Sequence, residues 1–189
     1  MTETAPTPGP REVHVWDRLV RLVHWSVALL FLANAAVLEE GAELHRLAGY
    51  GLLALVAMRL AWGLVGTRHA RFSAFPPDPR AALEDAARRL SGEARLHLSH
   101  NPMGALMAYA LWAVLGATAL TGMATHAGWL PAEAGEELHE TFANLGLALA
   151  GLHVLGVAAE SLQSRVPLVR AMVTGVKRIP AEALRRARR

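Results

Sequence analysis

The sequence contains no cysteine. Disulfides, iron–sulfur clusters, thiolate zinc sites and covalent porphyrin attachment through Cys-x-x-Cys-His are excluded together. Charge is scarce as well: Asp, Glu, Lys and Arg make up 19% of the 189 residues, and long stretches hold none. The first ten residues are rich in Thr and Pro and lack an apolar core, so no cleavable signal peptide is expected. Carboxylates are missing from the interior of every long apolar run, Glu140 and Glu160 lying only at the ends of the last one. That scarcity argues against a haem-free, proton-coupled membrane transporter, which would normally carry acids within the membrane.

What the chain has in abundance is apolar surface, 53% of its residues, with a mean hydropathy of +0.26. A soluble domain of this size is seldom so apolar, and an integral membrane protein is indicated. Four runs are long enough to cross a bilayer: Leu19 to Leu38, Leu44 to Val65, Met103 to Thr125, and Leu138 to Leu162. The expected fold is all-α, an integral membrane four-helix bundle. The expected organisation is a polar arm over 1–15, a membrane domain over 16–165 and a basic tail over 166–189. Residues His126 to Glu137 read as a short acidic loop before the fourth span. Between the second and third spans, Thr67 to Asn101 is dense in Arg and Pro. There Asp78-Pro79 reads as an N-cap with Pro in the first turn. Leu83, Ala86, Ala87 and Leu90 follow as a helical stripe that stops at Ser91-Gly92, which predicts a short amphipathic helix on the membrane surface.

Charge placement orients the bundle. The stretches joining span one to two and span three to four, each taken with the first turn of the span that follows, hold seven of the sixteen acids but only Arg46 among the bases. The other bases lie in the arm, the central segment and the tail, apart from Arg18 and Arg21 at the start of span one and Arg59 within span two. By the positive-inside rule both termini and the amphipathic helix are expected in the cytoplasm, with the protein in a bacterial inner membrane. The basic tail reads as a topology signal in contact with lipid headgroups, with no nucleic acid as partner.

Histidines supply the chemistry. His139 and His153 lie fourteen residues apart in the fourth span, which is about 21 Å of rise and just short of four turns. Both rings therefore share nearly one face. His139 lies two residues after Glu137 and His45 two after Glu43, on the outer side; His153 is sixteen residues from Glu137 and His24 fifteen from Glu39. The count matches His24 with His153 in an inner layer and His45 with His139 in an outer one. Facing imidazoles across a bundle suit the two axial positions of a haem iron. Without cysteine the haem must be non-covalent, so two haem b groups are expected.

Zinc would want three or four ligands on one point, and a di-iron site would want paired carboxylates or His-x-x-x-His clusters. Gly49, Gly51, Gly146, Gly151 and Gly156 suit either close approach of a flat macrocycle or ordinary small-residue helix packing. Arg59, fourteen residues after His45, and Arg21, one turn before His24, are placed to pair with haem propionates or to snorkel to the headgroups. His14, His69, His97 and His100 are expected in surface roles. His126 lies at the outer end of span three. Trp25, Trp62 and Trp129 read as interface anchors.

The order of several short motifs resembles the prokaryotic cytochrome b561 and nickel-iron hydrogenase b-type cytochrome superfamily, over about Val13 to Arg178. The motifs are Val15-Trp16-Asp17 with Arg21-Leu22-Val23-His24-Trp25; His45-Arg46-Leu47-Ala48-Gly49; and Arg59-Leu60-Ala61-Trp62-Gly63 with Gly66-Thr67-Arg68-His69-Ala70-Arg71-Phe72. They continue as His100-Asn101-Pro102-Met103-Gly104, Thr121-Gly122, the block from His139-Glu140-Thr141 to His153, and Val169-Arg170-Ala171-Met172-Val173-Thr174-Gly175. The resemblance implies a four-helix di-haem cytochrome b whose axial ligands are His24, His45, His139 and His153. It implies electron transfer in a respiratory chain between a quinone, ubiquinone or menaquinone, and a periplasmic c-type cytochrome or hydrogenase-like oxidoreductase subunit. The block beginning His139-Glu140-Thr141-Phe142 looks equally like the branch that oxidises superoxide and reduces ubiquinone. The short acidic outer loops of this chain would repel that anion. Quinone contacts are expected near His126 and Trp129, or near Arg59 and His69.

Overall fold

The computed structural model describes residues 11–91, 97 and 99–179, with the side chains of Arg89 and Leu90 excepted. The first ten residues of the expected arm, the last ten of the basic tail and the end of the Leu83–Leu90 stripe lie outside the described residues. In chain order the elements are strand β1 (Arg11–His14), helices α1 (Arg18–Ala36) and α2 (Glu43–Val65), a 3-10 turn (Phe72–Ala74), α3 (Pro79–Leu90), α4 (Pro102–His126), α5 (Ala132–Ser164), α6 (Leu168–Thr174) and strand β2 (Val176–Ile179).

Helix starts are written in short polar side chains. Asp17 Oδ1 accepts from the Val20 amide at 2.8 Å and Asn101 Oδ1 from Gly104 at 2.6 Å, with Pro102 opening the first turn of α4. Asp78 Oδ1 accepts from the amides of Arg80 and Ala81, as the sequence predicts. Four helices, α1, α2, α4 and α5, are long and apolar enough to cross a membrane. Their apolar residues are mostly turned outward: only 6% of the most apolar window of α5 is buried within the protein. In water that surface would not be tolerated, so the bundle is a multi-pass membrane domain with lipid as its solvent.

Packing runs from α1 to α2, α2 to α4 and α4 to α5, with α3 laid against α4. Two clusters fill the interior. The middle of the bundle holds Phe31, Leu52, Val56 and Leu115, flanked by Val27 and Ala150. The end bearing both terminal segments holds Val15, Trp16, Val20, Ala70 and Ala171. On α3, Ala82 and Asp85 are buried while Leu83 is 71% exposed and Ala87 is exposed, so these two residues of the predicted stripe face away from the protein, as a helix lying on a bilayer requires.

Two departures from the sequence reading bear on the site. The fourth span begins at Ala132, so Glu133, Glu136 and Glu137 form its first turns and the loop is confined to 127–131. Carboxylates at a helix N-terminus meet the positive end of its dipole, which the hydropathy pattern does not register. The second departure is a two-stranded antiparallel sheet in an otherwise helical chain. Arg11, Glu12, Val13 and His14 pair with Ile179, Arg178, Lys177 and Val176. The arm and the tail are therefore fastened together, with Arg178 donating to Glu12 at 2.6 Å.

Candidate functional site

Two histidine pairs lie one above the other along the bundle. On the side of the terminal segments, His24 of α1 faces His153 of α5 with ring centroids 6.3 Å apart and planes at 55°. At the far end, His45 of α2 faces His139 of α5 at 6.1 Å and 67°. Each partnership joins helices that are not neighbours in sequence, and α5 contributes to both. The ring of His139 is fixed from behind. Its Nδ1 lies 2.8 Å from the Thr118 carbonyl. A carbonyl oxygen only accepts, so Nδ1 carries the proton and the Nε2 lone pair is left for a ligand. Gly122 makes room for this: a Cβ there would stand 2.9 Å from Cε1 and Nδ1 of the ring. In His24 and His45 it is again Nδ1 that is sealed from solvent, there without a partner.

The spacing has a chemical meaning. Two metal–imidazole bonds of about 2 Å, plus roughly 1 Å from ring centre to nitrogen at each end, total a little over 6 Å. Among the described residues no group of three or more His, Asp or Glu converges on one point. A metal between each pair would receive two protein ligands and must bring its remaining donors with it, which is how a planar tetrapyrrole is held. The residues present fit such a group. Between the layers sits apolar packing, with Phe31 of α1 resting on Gly146 of α5, where a Cβ would stand 2.9 Å from the ring edge.

Above His24 and His153 lies a cap of aromatic and cationic side chains. Arg59 is 5% exposed, donates from Nη2 to the Ala70 carbonyl at 3.2 Å, and stacks 4.6 Å over Trp112. Its Nη1 is sealed without a partner. It is thus buried in the protein and does not reach for the headgroups. A buried guanidinium without a contacting carboxylate favours an anion brought in from outside the chain. Arg21 points elsewhere: its Nη1 donates to the Thr174 carbonyl at 3.0 Å, tying α1 to the end of α6.

His100 corrects its expected surface role. Its ring lies 4.6 Å from Phe75 and 4.9 Å from Trp16, with Nδ1 sealed and unpartnered. Burial, then the charges of Lys177 and Arg59, push its pKa down to about 3. Lys177 is also buried; its Nζ donates to the carbonyls of Ser99 at 3.0 Å and His97 at 3.3 Å. Burial holds that ammonium down at about 8, against the opposing pull of Glu160. His97 approaches buried Asp85 at 3.4 Å. Trp62 is not a free interface anchor, since its indole N–H donates to Asp17 Oδ2 at 2.9 Å. Trp25 stands edge-on to His24 at 5.1 Å. At the far end Trp129 and His126 are exposed.

Sequence reasoning missed His100, Trp112, Gly122 and Asp17 as parts of this arrangement. None of them carried a local signal of that role: His100 precedes the Asn101-Pro102 helix start, but it is packing against Trp16 and Phe75 that covers its ring. The family model for prokaryotic cytochrome b561 matches residues 15–175. No curated protein and no solved structure gives a match.

Proposed function

Because the chain belongs to the prokaryotic cytochrome b561 family, whose members are membrane b-type cytochromes that carry electrons, we propose that it holds two haem b groups and passes electrons across the membrane between them. The observation that carries this reading is the pair of matched imidazole gaps, 6.3 and 6.1 Å, sharing α5. His24 and His153 hold the haem nearer the terminal segments, His45 and His139 the other. When bound, each haem supplies an iron that cycles between ferric and ferrous and so accepts or gives one electron.

The chain's own residues do the rest. At each site the two facing imidazoles would be the protein's ligands to a bound haem. The Thr118 carbonyl fixes the His139 ring and raises its basicity. The unpartnered Nη1 of Arg59 would be free to hold the carboxylates of the nearer haem, and Arg21, a turn from His24, adds positive charge at longer range. Phe31, Leu52 and Leu115 keep water out of the space between the layers.

The terminal segments face the cytoplasm of a bacterial inner membrane, a placement supported by the distribution of Lys and Arg. Electrons exchange with a membrane quinone, ubiquinone or menaquinone, and with a periplasmic c-type cytochrome or oxidoreductase subunit. Superoxide oxidation by the protein alone ranks second, because Glu133, Glu136 and Glu137 gather at the far end of the bundle and repel anions. Consumption of superoxide by the isolated protein with quinone, well above spontaneous dismutation, would reverse that order.

The test is haem stoichiometry in purified protein. Two low-spin haem b per chain are expected, falling to one in His153→Ala and to one in His139→Ala. A fully loaded preparation with a single haem, or both haems retained in either variant, overturns the assignment.

A further inference from the structure

Between the start of α1, the loop after α2 and the end of α6 lies a cleft of about 570 Å³. Its charged lining is Arg18, Arg21 and Arg68 with His14 and His69, against one acid, Asp17. Its arginines and its one carboxylate alone set three positive charges against one negative. Nor does Asp17 neutralise its arginine neighbours. Its carboxylate accepts from the Val20 amide at 2.8 Å, the Trp62 indole at 2.9 Å and the Thr67 hydroxyl at 2.6 Å, all neutral donors. Arg21 has Nη1 on the Thr174 carbonyl. Among the described residues the side chains of Arg18 and Arg68 make no hydrogen bond or ion pair, and both residues are exposed.

Position narrows the ligand. The cleft lies where α1 enters and α2 leaves the apolar zone. Directly beside it in sequence, Leu22 is 68% exposed, Leu64 71% and Val65 72%, with none of the described elements covering them. A molecule with an anionic head in the cleft therefore has an apolar surface for its tail within a turn. Guanidinium groups bind phosphate oxygens through paired N–H donors, and two arginines lining one cleft from α1 and from the loop after α2 suit a phosphodiester. A neutral quinone head has no use for them.

We propose that this cleft is a binding site for the phosphate of an anionic phospholipid, held by Arg18 and Arg68 with its acyl chains along Leu22, Leu64 and Val65. The site is independent of the haem assignment. It places a lipid between α1, α2 and α6, where it fastens the terminal segments to the bundle.

Native mass spectrometry of the full-length protein tests this, with phosphatidylglycerol, phosphatidylcholine of the same chains, and inorganic phosphate as separate probes. One phosphatidylglycerol per chain is expected to survive delipidation that removes phosphatidylcholine. Arg18→Gln and Arg68→Gln are each expected to weaken retention about fivefold, with Arg68→Lys recovering most of it. Helical circular dichroism and haem content should not change in these variants, since neither side chain holds another group. Equal retention of the two lipids, unaltered retention in both Gln variants, or displacement of the lipid by millimolar inorganic phosphate would each overturn the proposal; the last would make the site one for free phosphate.

Discussion

Phe31 rests against Gly146, and Gly146 lies seven residues from His139 and seven from His153. The same interval separates His24 from Phe31 and His45 from Leu52. Seven residues are two turns, so three helices place one residue each at the level midway between the imidazole pairs.

That midway contact sets the first expectation. Gly146→Leu has no room for its side chain except by driving Phe31 off α5, so haem content should fall at both sites together. A single-histidine variant, in contrast, empties one. Phe31→Ala leaves a cavity and should lower stability by about 2–3 kcal/mol, under the usual range for buried aromatics because lipid supplies less driving force than water. Thermal unfolding in detergent, followed by helical circular dichroism, measures it.

Asp17 joins three parts of the chain through one carboxylate. Asp17→Ala removes the α1 cap and strands the Trp62 indole N–H and the Thr67 hydroxyl, for an expected loss of about 2–3 kcal/mol. Burial alone would raise the Asp17 pKa, but its hydrogen bonds outweigh that and the net direction is downward. The stabilisation is therefore complete above the ordinary carboxylate range and lost as pH falls through the lowered value. Asp17→Asn should flatten the acid side of a stability–pH curve below about pH 4.

His100 and Lys177 give stability slopes of the same sign in different windows. With His100 at about 3 when folded and about 6.5 when unfolded, the unfolded chain binds more protons between those values. Stability should fall as pH drops across that window, and His100→Gln should remove the slope. Lys177, at about 8 when folded against about 10.4 unfolded, should give stability that rises from pH 8 to 10. Lys177→Gln should abolish the rise. Urea midpoints at fixed pH steps provide the readout.

The histidine pairing was legible in the sequence because depth in a membrane can be counted from the polar residues that bound each span. His24, His45, His139 and His153 meet the partners that the counting assigns. The cap above them was not legible. His100 looks like a loop residue in an Arg-rich segment, and only tertiary packing against Trp16 and Phe75 buries it. Arg59 could be placed at the right depth, but not on the Trp112 ring, because rotation of α4 about its axis leaves no mark in a uniformly apolar span. The sheet is shorter still, four residues a side, with no alternation long enough to stand out.

Gly175 ends α6 at φ 85°, and its carbonyl accepts from the amides of Val15 and Trp16. A Cβ there would lie 2.6 Å from the Trp16 carbonyl. Gly175→Ala should cost at least about 2 kcal/mol locally and speed proteolytic nicking near Val13, while both histidine pairs keep their haems.

The pairing of His14 with Val176 also sets an order of events during synthesis. At about 5–20 residues per second, the first strand waits roughly 10–30 seconds on the ribosome before its complement exists. Until then its backbone amides and the indole of Trp16 have no cover from the chain's other end. A product broken off before Val176 would keep them bare, so β2 doubles as a seal that distinguishes molecules carrying it from shorter fragments.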